Sequence, residues 1–177
     1  MDYLLMLYML FVGMEHGQDC IGGRMDFFEE FENFSKGELL SPDGLRLYER
    51  GINPLNHRAV LRLQSFRDYV TFEEGRDIRI WVNIPGHQHR GFRSPEENRV
   101  IYKKHRERGG GPRAERDFDV MDNRYSFHIA GCAFDLQSPD LGLEDLLGHA
   151  RKFGWPGIGV YRTFIHVDNR EGKSVFW

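Results

Sequence analysis

At 177 residues, with 40% hydrophobic and 29% charged side chains, the chain has the makeup of one globular domain and is long enough to bury a core without disulfides. Its formal net charge of −3 argues against a general nucleic-acid binder, which needs a basic excess to neutralise phosphates. Two cysteines, Cys20 and Cys132, lack CxxC spacing, so neither a disulfide framework nor a thiolate metal site is expected, and the compartment stays open.

Residues 1–13, MDYLLMLYMLFVG, form an apolar run too short for a membrane-spanning helix, which needs about 20 residues. The run is similar to the apolar part of an export signal, yet Asp2 stands where lysine or arginine is usual, and no clear small-residue cleavage site follows. A mis-assigned start is the rival reading, since Met14 and Met25 both precede the sequence that begins to read as a domain. Two parts are expected: a short apolar segment over 1–24 and a domain over 25–177.

Residues 25–34, MDFFEEFENF, are aromatic and acidic and leave open a short helix or a docking segment. Over 54–70, Leu55, Ala59, Leu63, Phe66 and Val70 recur at spacings of three and four, one face of an amphipathic helix with Pro54 in its first turn. The branched and aromatic run 78–84, IRIWVNI, predicts a strand closed by Pro85-Gly86. A helix over 97–106 follows Ser94-Pro95, and Gly109-Gly110-Gly111-Pro112 predicts a loop. The basic run 103–116 is broken by Glu107 and Glu115 and reads as a solvated loop. A strand over 133–136, a helix over 143–153 ended by Gly154, and a final strand over 159–168 complete the domain, with no internal repeat.

The strongest chemical signal is SFHIAGCAFD, residues 126–135, followed by His166 in FIHVD. Two histidines and one carboxylate, here His128, Asp135 and His166, make a catalytic zinc set that leaves the fourth tetrahedral position for water or substrate. Gly131 can bend the chain so that His128 and Asp135 converge. Ala133, on the same strand face as Asp135, leaves room beside a metal, whereas Cys132 faces the other way into the core. His87 and His89, in GHQHRG, are a weaker rival pair without a third ligand. His149 reads as solvated on the polar side of its helix, and His57 and His105 have no evident partners.

The pattern S-x-H-x-x-G-x-A-x-D with a late F-x-H-x-D resembles the zinc D-Ala-D-Ala carboxypeptidase and murein endopeptidase family, which shares its metal-binding fold with hedgehog signalling domains. Upstream, GFRSPEEN at 91–98 resembles that family's G-Y-R-S-P-x-x-N, and GWPGIGVY at 154–161 resembles its glycine-rich lead into the last strand. The likeness spans residues 31–177. It implies an α+β fold with a central, mainly antiparallel sheet flanked by helices, and one zinc ion per chain on His128, Asp135 and His166. It also implies that Arg93 steers a substrate carboxylate, a task suited to the guanidinium fork.

The implied reaction is metal-assisted hydrolysis of peptidoglycan peptides by a monomer at the cell envelope, in the periplasm or outside the cell, for remodelling the wall or as a phage lysis product. No nucleic acid or membrane span is implied. Many members carry an acid three positions before the last histidine ligand, but Thr163 stands here. Asp168, two residues beyond His166 on the same strand face, is the substitute proton acceptor, the other reading being that it orients the His166 ring or caps a turn. Ser126 and Tyr161 are candidates for positioning the peptide. The rival functions are a metal-binding recognition domain without catalysis, which Thr163 favours, and a structural zinc protein.

Overall fold

In the computed structural model, which describes residues 27–82, 91–107 and 126–177, the aromatic stretch forms a 3₁₀ turn over Phe27–Glu30 that docks on the core. Phe31 and Phe34 are buried, and Phe27 packs edge-on against Phe28 at 5.2 Å and against His57 at 5.8 Å. His57 also bonds Glu30 Oε1 at 2.9 Å, so it has a partner that its sequence neighbours do not reveal. The segment 1–24, His87, His89 and the glycine-rich loop lie outside the described residues, as does most of the basic run.

A short helix α1 (Lys36–Leu39) leads into α2 (Pro42–Glu49), capped by Ser41, whose hydroxyl accepts from Gly44 N at 3.2 Å. Helix α3 spans His57–Glu74 and buries Ala59, Val60, Leu63, Phe66 and Val70. It starts later than the periodicity suggests: Asn56 is the cap, accepting from Ala59 N at 3.0 Å, and Pro54 and Leu55 lie ahead of it. Those two residues pack instead on the Gly131 turn, where Asn56 N donates to Gly131 O at 3.1 Å.

Helix α4 (Pro95–Glu107) follows a capping box in which Ser94 N donates to Glu97 Oε2 at 2.8 Å and Glu97 N to Ser94 Oγ at 3.2 Å. Glu97 Oε1 also accepts from Asp43 N at 3.3 Å, so one carboxylate serves the N-termini of both α2 and α4. Helix α5 occupies Leu143–Phe153, as the sequence predicts, and Gly154 caps it at φ 83°. His149 on α5 is buried, not solvated: α3 lies against that side, and Glu74 Oε1 meets His149 Nε2 at 2.8 Å.

The four-stranded sheet is mixed, in the order β1 (Ala133–Leu136), β3 (Ile165–Asp168), β2 (Gly157–Val160), β4 (Val175–Phe176). β3 is antiparallel to both β1 and β2, while β4 is parallel to β2. Two expected strands therefore differ. The run 159–168 is a hairpin, with Tyr161 N donating to Phe164 O at 3.0 Å and the two rings stacked at 4.5 Å. Of the run 78–84, the described part pairs through the bridge Trp81–Gln137 and not along a ladder. Its anchors are Val82 N on Glu38 Oε1 at 3.1 Å and the Arg79–Asp140 ion pair at 2.6 Å.

Strand alternation divides the sheet cleanly. Phe134, Leu136, Ile158, Ile165 and Val167 bury one face against the helices. The opposite face carries Ala133, Asp135, His166, Asp168, Gly157 and Gly159, in register across β1, β3 and β2. Among the described residues no helix is long and apolar enough to cross a membrane.

Candidate metal centre

Asp135 and His166 are direct cross-strand partners on that second face, which places their side chains next to each other without any loop adjustment. His128 arrives from a tight turn in which Ile129 N donates to Ser126 O at 3.0 Å and Cys132 N to Phe127 O at 2.8 Å. Gly131 ends the turn at φ 66°, a conformation that costs other L-residues about 1–2 kcal/mol. A side chain there would also run into Pro54 O.

Three buried donor atoms converge. His166 Nδ1 lies 2.9 Å from Asp135 Oδ1 and 3.2 Å from His128 Nε2, and His128 Nε2 lies 3.4 Å from Asp135 Oδ1. Ligands about 2.0–2.2 Å from a tetrahedral ion stand about 3.3–3.6 Å apart, so this triangle needs adjustments of a few tenths of an ångström to become one face of a coordination shell. The group can hold a metal ion. The same donor set also suits ferrous iron, so it does not by itself select zinc.

The outer nitrogens fix the tautomers. His128 Nδ1 sits 2.8 Å from Gly91 O, which can only accept, so the proton is on Nδ1 and Nε2 offers its lone pair. His166 Nε2 faces Asp168 Oδ2 at 3.2 Å, which calls for the proton on Nε2 and, in the neutral ring, leaves the lone pair on Nδ1. With His166 neutral, two imidazole lone pairs and a carboxylate oxygen point at one another, a repulsion relieved either by a second proton on His166 Nδ1, donated to Asp135 Oδ1 at 2.9 Å, or by a cation among them. Carbonyl and carboxylate acceptors on the outer nitrogens are the usual support around metal-bound histidines.

Charge follows the same logic. Burial, with Arg93 adding to it, lowers His128 to about 4, keeping it neutral and ready to ligate. Burial alone would lower His166 too, but its bonds to Asp135 and Asp168 outweigh that and raise it. Burial opposes ionisation of Asp135, yet His128, His166 and Arg93 hold its pKa well below the carboxylate range. The centre thus keeps an anion and draws positive charge to His166, by a proton or by a metal.

Arg93, expected to steer a substrate carboxylate, forms an ion pair with Asp135. The strap Gly91–Arg93 is pinned between α1 and the cap of α2 by Phe92 N on Leu39 O at 2.8 Å and Ser41 N on Phe92 O at 3.2 Å. Arg93 Nη2 then reaches Asp135 Oδ2 at 2.6 Å, holding the carboxylate oxygen that does not join the triangle. Asp168 has no exposed surface. Burial would raise its pKa, but a forked bond from Arg170, at 2.7 and 2.6 Å, and the bond with His166 bring it to about 2.

Ser126 opens the turn that presents His128, and Tyr161, 42% exposed, stands two residues past Gly159 at the hairpin end. Thr163 is in the hairpin turn and exposed. Cys132 is half-buried against the core, as its parity predicts, and burial raises its thiol to about 11.

Sequence reasoning misses Arg170, Trp177 and the carbonyl of Gly91. Arg170 follows Asp168 at the spacing that lets a guanidinium fold back on a carboxylate, a signal too common to single out. Compared with known proteins, the chain matches no family model, no curated protein and no solved structure.

Proposed function

We propose that the protein is a zinc-dependent peptidase that hydrolyses peptide bonds of bacterial peptidoglycan, as a carboxypeptidase or endopeptidase, at the cell envelope. The observation that carries the reading is the buried triangle of His128 Nε2, Asp135 Oδ1 and His166 Nδ1, with the outer nitrogen of each imidazole facing an acceptor oxygen, Gly91 O and Asp168 Oδ2. The choice of zinc and of peptidoglycan is supported by the order and wording of the motifs GFRSPEEN, SFHIAGCAFD and FIHVD.

A zinc ion held by three protein ligands supplies Lewis acidity toward a scissile carbonyl and a water acidified to a pKa of about 7. The protein's own part is to keep His128 neutral, to hold Asp135 ionised, and to bring Arg93 beside the centre, where it can meet a substrate carboxylate. Arg93 also orients Asp135, so it serves both metal and substrate. Asp168 belongs to the scaffold in this reading: its carboxylate faces the outer nitrogen of His166 and fixes the ring.

That placement favours one rival, a metal-binding module without catalysis, because the group expected to take the water's proton is engaged by His166 and Arg170. Purified murein incubated with metal-loaded protein separates the two. Peptide fragments that stop appearing with a chelator and return with added zinc support the peptidase, with mass spectrometry naming the bond. No release from protein shown to hold one zinc per chain leaves the non-catalytic module. His128→Ala and His166→Ala should each abolish metal binding, whereas His149→Ala, at the α3–α5 contact, should leave it intact.

A further inference from the structure

The row of residues that builds the centre does not stop at His166. Asp135 pairs with His166, and His166 with Gly159. Beyond β2, the parallel register Ile158–Phe176 brings Trp177 beside Gly159. Trp177 N donates to Ile158 O at 3.1 Å and its carbonyl accepts from Val160 N at 2.8 Å, which holds the backbone in that register.

Gly159 leaves space that the indole occupies: a Cβ there would lie 2.7 Å from Trp177 Nε1. The indole centroid is 5.4 Å from the His166 ring, and the Arg170 guanidinium is 4.9 Å from the same indole. Phe127, adjacent to His128, meets Arg170 at 4.9 Å as well. Arg170 is thus in contact with two aromatic rings while its fork holds Asp168, which in turn holds His166.

We infer that Trp177 is a positioning residue of the metal centre: lying over Gly159, it walls the His166 side and steadies Arg170, so that the Arg170–Asp168–His166 chain keeps Nδ1 aimed at the ion. The inference rests on the metal-centre reading above. Trp177 needs no contact with the metal or the substrate for this role. It acts through its ring, by cation–π contact with the Arg170 guanidinium and by packing beside the His166 ring.

Cobalt(II) alone is a suitable probe, because its d–d absorption reports occupancy and it quenches a neighbouring indole. In the parent chain, filling the site should quench the Trp177 share of the emission and leave that of Trp81 and Trp155. Trp177→Ala should lose the quenched share and bind cobalt about 10- to 100-fold more weakly, the usual effect of removing a residue that supports a ligand. Trp177→Phe should lose the quenching but recover much of the affinity, since a phenyl ring still offers Arg170 a face. Gly159→Ala, which drives the indole out while keeping its atoms in the chain, should match Trp177→Ala in affinity. Parent-like cobalt affinity in both Trp177 variants, or no quenching in a parent whose absorption shows a filled site, overturns the role of Trp177. A parent that binds no cobalt overturns the metal centre itself.

Discussion

Because the oxygens of Asp168 are engaged, Oδ1 by Arg170 and Oδ2 by Arg170 and His166, replacing it with asparagine removes a charge that two cationic or proton-donating groups share. If its role is to orient His166, Asp168→Asn should weaken metal binding by about 10- to 100-fold. Turnover should then fall with occupancy and recover in excess zinc. A general base behaves differently: metal stays bound while turnover falls by about 10²- to 10⁴-fold, whatever the zinc concentration. Titration against a competing chelator, run beside the activity assay, distinguishes the two outcomes. Strand parity alone cannot, because two residues apart on β3 puts Asp168 on the right face without saying which nitrogen of His166 it meets.

Among the elements, β1 and α5 match their expected limits because each has an uninterrupted pattern bounded by turn residues. The hairpin between β2 and β3 was hidden in an alternating run. Its turn, Arg162-Thr163, uses no left-handed residue, so glycine or asparagine does not mark it, and apolar alternation continues on both sides. His149 reads as solvated for a related reason: its burial comes from α3, distant in sequence, and not from the pattern of its own helix. The His128–Asp135 part of the candidate triad is legible because its ligand types and its glycine lie in one short segment, whereas His166 is 31 residues beyond Asp135 and is brought in by the late F-x-H-x-D motif.

Gly131 is the element-level weak point, since both its φ of 66° and the nearness of Pro54 O exclude a side chain. Gly131→Ala should destabilise the protein by at least about 1–2 kcal/mol, measured by denaturant unfolding, and should lower metal affinity by displacing His128. Unchanged stability would mean that the turn can relax into another shape.

At the scale of the molecule, the candidate centre joins two separated stretches of chain: the turn at His128 with the strand β1 that follows it, and strand β3. An ion that binds this arrangement and not the unfolded chain stabilises the fold by about 4 kcal/mol at a thousand times its dissociation constant. Stripping the metal should therefore lower the melting temperature in a way that depends on free metal concentration. A melting curve indifferent to chelator and to added zinc would show that the ligands do not bind as a set.

Glu97 has one carboxylate on two helix starts, and the strap between them carries Gly91 and Arg93. Opening either start exposes the other, so the strap, the beginning of α2 and the beginning of α4 should open to solvent as one cooperative unit. In native-state hydrogen exchange, the amides of Asp43 and Ser94 should share a single opening free energy, and Glu97→Ala should lower it for both by about 1–2 kcal/mol. Arg93 and the carbonyl that sets the His128 tautomer would then be released together, so a capping residue outside the centre would govern how often the site comes apart.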